Sequence, residues 1–121
     1  MEKEFGEGVI SFVEDGVKKA AIYEQEEGNG ILVRLEGAMN RETANTLRNE
    51  LSALILSGQK ISVDLSGVTY LSASVMDILL QEEIKQESSG KTIPLKQMPQ
   101  QIYDSFKARG MHELFEIEVK Q

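Results

Sequence analysis

The chain has no cysteine, a single histidine and only two prolines among its 121 residues. Missing thiols exclude disulfides and thiolate metal sites, and they permit an intracellular setting. No apolar run approaches the length of a membrane span, and Met1-Glu2-Lys3-Glu4 does not read as the start of a signal peptide. The expectation is a cytoplasmic protein without membrane insertion. Basic residues are also scarce, thirteen Lys and Arg against twenty Asp and Glu, for a formal charge of −7. Such a surface repels phosphate backbones, which argues against nucleic acid as a partner and leaves ordinary solubility as the first explanation of the charge. The length suits one domain that buries a single core without cross-links.

What is present is organised around residues 61–80, ISVDLSGVTYLSASVMDILL. Ile61, Val63 and Leu65 read as a buried strand ending in a polar turn at Ser66-Gly67. Residues 68–71 lead on into Ser72-Ala73-Ser74, after which Val75, Met76, Ile78, Leu79, Leu80 and Ile84 recur at helical spacing. Ser74 followed three residues later by Asp77 is a capping-box-like signal that starts the helix at about Ser74. A strand feeding a helix N-terminus offers free N–H groups and the positive end of the dipole, which favour anions and modifications.

Upstream, residues 1–8 are charged and read as loose chain, while residues 9–13 followed by Asp15-Gly16 allow an extra N-terminal strand. Residues 20–23 and 31–35 flank Gly28-Asn29-Gly30 as an opening antiparallel hairpin. Asn40 caps a helix with the stripe Ala44, Leu47, Leu51, Leu54 and Ile55, and Ser57-Gly58 ends it. The following helix covers about residues 74–88 and stops at Ser89-Gly90. Thr92, Ile93 and Leu95 read as a strand that Pro94 sets at a sheet edge or with that position's missing N–H directed outward. Pro99 opens a last helix with Ile102 and Phe106 inward, Gly110 closes it, and Phe115, Ile117 and Val119 alternate as a final strand. The fold class is α/β, a mixed sheet flanked by helices in the order β-β-α-β-α-β-α-β. Residues 1–18 stand as an N-terminal extension and residues 19–121 as a single domain.

Catalytic signals are thin. Ser89-Gly90-Lys91-Thr92 ends like a phosphate-binding loop, but Lys85 stands where the first glycine belongs. The tetrapeptide also follows a helix and precedes a strand, the reverse of that motif's context. His112-Glu113 opens a zinc-protease pattern that Glu116 breaks. Glu82-Glu83 and Glu24 with Glu26 and Glu27 read as solvated faces, because no spacing sets two carboxylates in one pocket. The expectation is no catalytic residue, no metal, no cofactor and no enzymatic activity.

The segment VDLSGVTYLSASVMDILL resembles the signature of the STAS family, the domain of bacterial anti-sigma factor antagonists and of sulfate-transporter tails. That signature is a strand with Asp between hydrophobic residues, a loop close to Asp-Ser-Ser/Thr-Gly-Leu, and a helix. Residues 31–37 resemble the family's early strand ending in glycine, and residues 99–115 its last helix and the approach to its final strand. The likeness covers roughly residues 19–119. It implies a STAS-like fold and a non-catalytic regulatory domain of a bacterial cytoplasmic system, acting in regulation of transcription as an anti-anti-sigma factor. Its implied partner is a kinase-like anti-sigma factor or related switch protein that holds its own nucleotide, and the chain itself is a monomer or weak homodimer.

The implied contact surface is Tyr70, Ser72, Ala73, Ser74, Val75, Met76 and Asp77, continuing to Gln81 and Glu83 on the helix. In the family, a serine of this turn is phosphorylated by the partner. Ser72 stands where the family has Asp, Ala73 where it has that serine, and Val75 where it usually has glycine. Ala73 has no hydroxyl to carry phosphate. The resemblance therefore implies a binder without the usual switch, modification at Ser72 or Ser74 instead, or a structural subunit. The same fold also allows a small-molecule or nucleotide-sensing module, or the STAS subunit of a transport complex.

Overall fold

In the computed structural model, which describes residues 1–121, apolar side chains alternate along the long strands, and this period of two makes one sheet face the core. Seven strands lie in chain order: β1 (Glu2–Gly6), β2 (Val9–Glu14), β3 (Val17–Glu27), β4 (Gly30–Met39), β5 (Lys60–Leu71), β6 (Leu95–Met98) and β7 (Ile117–Val119). The first four form an antiparallel meander, and β4 to β7 pair in parallel. Helices α1 (Arg41–Leu56), α2 (Ala73–Glu87) and α3 (Gln100–Ala108) begin the three crossovers. Each crossover steps one strand in the same direction. With right-handed connections, all three helices then cover the same face.

That face carries Ile22, Val33, Leu35, Val63, Leu65 and Leu95, which are fully buried beneath Leu47, Leu51, Val75, Leu79 and Phe106 of the helices. Each such side chain contributes roughly 1.5–3 kcal/mol relative to exposure. The other face is polar, with Tyr23, Arg34, Asp64 and Lys96 in register across four strands. The Arg34 guanidinium lies 4.2 Å from the centre of the Tyr23 ring, and Arg34 Nη1 donates to Glu36 Oε2 at 3.1 Å.

The mixed sheet flanked by helices matches the sequence-based order from β3 onward, and five details differ. Residues 1–8, read as loose, contain β1, whose charged side chains face water while its backbone pairs with β2. Charges on an edge strand keep it from pairing with other chains, and here they also hid it from a hydrophobicity reading. A boundary after residue 18 falls inside β3. Ser66-Gly67 is not a turn. β5 runs unbroken through it, and its register against β4 slips between Arg34 and Glu36 and again between Gly37 and Ala38.

Asp64 Oδ1 accepts from Ser66 N at 2.7 Å at the first slip. At the second, Gly37 has φ 82°, and a Cβ there would lie 2.3 Å from the Lys19 carbonyl oxygen. Pro94 precedes β6, and β6 is an interior strand flanked by β5 and β7. The Pro94 carbonyl accepts from Val63 N at 2.9 Å, so the missing proline N–H leaves the ladder intact.

The fifth difference is Glu24, which is half-buried and not part of a solvated face. It pairs with the core residue Val33 on the helix-covered side. Burial, then a hydrogen bond to and repulsion from Glu50 of α1, push its carboxyl up to about 7. A folded-state value above the unfolded one means the group's stabilisation is complete below about 4.5 and is lost as pH rises through about 7. Thermal stability is therefore expected to fall between about pH 5 and pH 8, and Glu24→Gln to raise Tm at the upper end and flatten that slope. Calorimetry at both limits checks this, and an unchanged slope in the variant would refute the assignment.

Candidate functional site

β5 ends at Leu71, and Ser72 turns the chain into α2. Ser72 N donates to the Met39 carbonyl oxygen at 2.9 Å, which ties the turn to the end of β4. Its backbone is extended, its Oγ accepts from Val75 N at 3.3 Å, and its carbonyl accepts from Met76 N at 3.0 Å. Ser72 is thus the N-cap and is buried. Ser74, expected to start the helix, lies in the first turn and is half-buried. The capping-box reading fails because the strand's last ladder bond fixes where the helix begins, two residues earlier.

Val75, Met76, Ile78, Leu79, Glu82, Glu83 and Gln86 are buried, so Val75, Met76 and Glu83 are not available as contact residues. Outward are Ala73, Asp77 and Gln81, with Ile84 56% exposed and Leu80 half-buried between them. Ile84 was expected in the core stripe and instead heads an apolar strip on the outer face. Tyr70, at the end of β5, is 54% exposed beside the same turn. Asp77 Oδ1 lies 3.0 Å from Arg109 Nη2 just beyond α3, a surface pair worth under about 1 kcal/mol.

The two acids read as solvated are both interior. Glu82 Oε1 accepts from Ser52 Oγ of α1, and Lys85 Nζ sits 3.0 Å from Glu82 Oε2. Glu83 Oε1 accepts from Ile93 N at 2.8 Å and so holds the segment entering β6 against α2. Burial raises the Glu83 carboxyl pKa, the Ile93 amide partly offsets this, and Glu87 and Glu116 add to the rise. Both carboxylates are thereby committed to structure. His112 packs edge-on to Tyr103 at 6.0 Å, and its buried Nδ1 has no partner. No group of three or more His, Cys, Asp or Glu side chains is placed to hold a metal.

The turn therefore presents a helix N-terminus, a methyl group and a phenol to solvent. It has shape and a positive dipole end, and the hydroxyls it offers are the exposed Tyr70 phenol and the half-buried Ser74 side chain. Ser72→Ala is expected to lose about 1 kcal/mol by removing the cap. Ser74→Ala is expected to change stability by less than about 0.5 kcal/mol. Denaturant titration distinguishes them, and an equal loss at both positions would reassign the cap.

No curated protein matches the chain by sequence. Among solved structures, an anti-sigma factor antagonist from Mycobacterium paratuberculosis is similar with a TM-score of 0.73 at 15% identity, covering 82% of this chain and 85% of that one. The unphosphorylated form of the anti-sigma factor antagonist SpoIIAA gives 0.70 at 14% identity over 81% of this chain and 88% of its own. The NMR structure of the protein TM1081 gives 0.71 at 14% identity, covering 80% and 79%. At these identities the likeness establishes the fold. A family model described as Mlab, STAS domain matches residues 22–116, from within β3 to the threshold of β7 and including the whole of β5, the turn and α2. The chain belongs to the STAS domain family.

Proposed function

We propose that this STAS domain is a non-catalytic regulatory module that binds another protein through Tyr70, Ala73, Ser74 and the outer strip of α2. The partner is a kinase-like anti-sigma factor or a related switch protein that brings its own nucleotide. The observation that carries this reading is the exposure of Ala73 on the first turn of α2, where the family resemblance sets a phosphorylated serine. A methyl group there cannot accept phosphate, so contact at this face is not turned off by added charge at that position. Ser72 is a poor substitute acceptor, because its buried Oγ is engaged with Val75 N. Of Ser72 and Ser74, Ser74 is the one whose hydroxyl is within reach of a kinase, beside the exposed Thr69 and Tyr70.

Two of the structural neighbours are named as anti-sigma factor antagonists, which supports the class of partner. The absent hydroxyl also suits a permanent subunit of a transport complex, which would use the same face continuously. The strip Leu80 and Ile84 gives the contact an apolar centre, with Asp77 and Gln81 as a polar rim.

Ile84→Asp and Ala73→Arg are expected to weaken partner binding by about tenfold or more while Tm stays near that of the parent. Affinity measurement with the co-purified partner, paired with thermal melts, reads both quantities. Binding that survives both changes places the contact elsewhere, and co-purification with transporter subunits instead of a kinase-like protein selects the second reading. Mass spectrometry of protein from its native cells is expected to find residues 69–74 unmodified, and stoichiometric phosphate anywhere from Thr69 to Ser74 would overturn the unswitched reading.

A further inference from the structure

We infer that the cleft at the far end of the sheet from the α2 N-terminus is a binding site for a small sugar phosphate. It lies where the parallel strands begin, between the β3–β4 turn, the start of β5 and the segment following α2, and encloses about 360 Å³. That is within the roughly 300–1,000 Å³ of small-molecule sites. Its floor depends on Gly30, where a Cβ would lie 2.6 Å from the Lys60 carbonyl oxygen. A larger residue would force β4 and β5 apart at their first paired residues, Gly30 and Lys60.

Charge and hydrogen bonding both point to an anion with hydroxyl groups. Lys60, Lys91 and Lys96 line the cleft against a single acid, Glu27, in a chain whose formal charge is −7. Lys96 is taken up by Glu27 at 3.4 Å, which leaves Lys60 and Lys91 without a carboxylate partner. Ammonium groups of this kind bind phosphate as compact point charges. Glu27 and the carbonyl end of α2 oppose an anion, so both free lysines are required.

Gln86 also lines the cleft and is 3% exposed. Its main-chain carbonyl meanwhile accepts from Ser89 N and Lys91 N, both at 2.9 Å, and so sets the turn that presents Lys91. Asn29, Ser62 and Thr92 add donors and acceptors around the rim. No aromatic side chain lines the walls, so there is no platform for a nucleobase, and a polyhydroxyl ester fits where a nucleotide does not. Ser89-Gly90-Lys91-Thr92 fails as a nucleoside-triphosphate loop because of its context, yet Lys91 and Thr92 still reach this cavity.

The test is a thermal-shift and calorimetric titration of the full chain with ribose 5-phosphate, inorganic phosphate, adenosine 5′-monophosphate and ribose at low ionic strength. Saturable binding of ribose 5-phosphate is expected, tighter than that of inorganic phosphate or the nucleotide, with none for ribose. The double variant Lys60→Gln with Lys91→Gln is expected to lose about tenfold or more in affinity and to keep the parent's melting temperature without ligand, since both side chains are exposed. No response to ribose 5-phosphate, an equal response to inorganic phosphate or the nucleotide, or unchanged affinity in the double variant would each overturn the assignment.

Discussion

The parallel pairing of β5 with β4 is the constraint on which the remaining architecture rests. β5 lies between the antiparallel meander and the two short C-terminal strands, so it joins the halves of the sheet. Its core residues Ile61, Val63 and Leu65 sit under the helices, while Ser62, Asp64 and Ser66 line the open polar face. The two register slips against β4 lengthen β5 and let it extend as far as Leu71 beside Met39. The Ser72-to-Met39 hydrogen bond then closes the ladder and fixes the first residue of α2. The place where α2 begins is thus inherited from strand pairing.

One-sided burial follows from the same topology. Crossovers that advance in one direction stack α1, α2 and α3 on one face, where α2 packs against α1 through Ser52 and Glu82. A helix so placed has an inner side in the core and an outer side in solvent, and the exposed methyl of Ala73 with Ile84 and Leu80 marks the outer side. The interior carboxylates serve this packing. Glu82 ties α2 to α1, Glu83 ties it to the segment entering β6, and Glu24 meets Glu50 across the sheet–helix boundary. In a chain rich in acids, these three are distinguished from the solvated ones by position alone.

The two ends of the parallel strands have different chemistry. At their C-terminal ends the α2 N-terminus meets solvent beside an apolar strip, suited to a protein partner. At their N-terminal ends, Lys60, Lys91, Lys96 and Gln86 line a small polar cavity. Residues 61–65 of β5 connect the two, since they open the cavity wall at Ile61 and continue toward the turn at Ser72. The separation leaves a small ligand free to occupy one end while a partner occupies the other.

The sequence by itself determined the α/β class, the order of elements from β3 onward, and several boundaries. Asn40 as a cap with its Oδ1 on Glu42 N, Gly58 after α1 and Gly110 after α3 are local devices, legible because each depends on its own few neighbours. Only the tertiary structure decided the rest. β1 is a strand because β2 offers it a ladder, which its alternation of charges does not announce. Ser72 rather than Ser74 caps α2 because Ser72 N is held by Met39, a residue more than thirty positions away. Packing decided the edges of the α2 stripe: Glu83 is held inside by Ile93 N, a residue beyond the helix, while Ile84, apolar by sequence, is left outside.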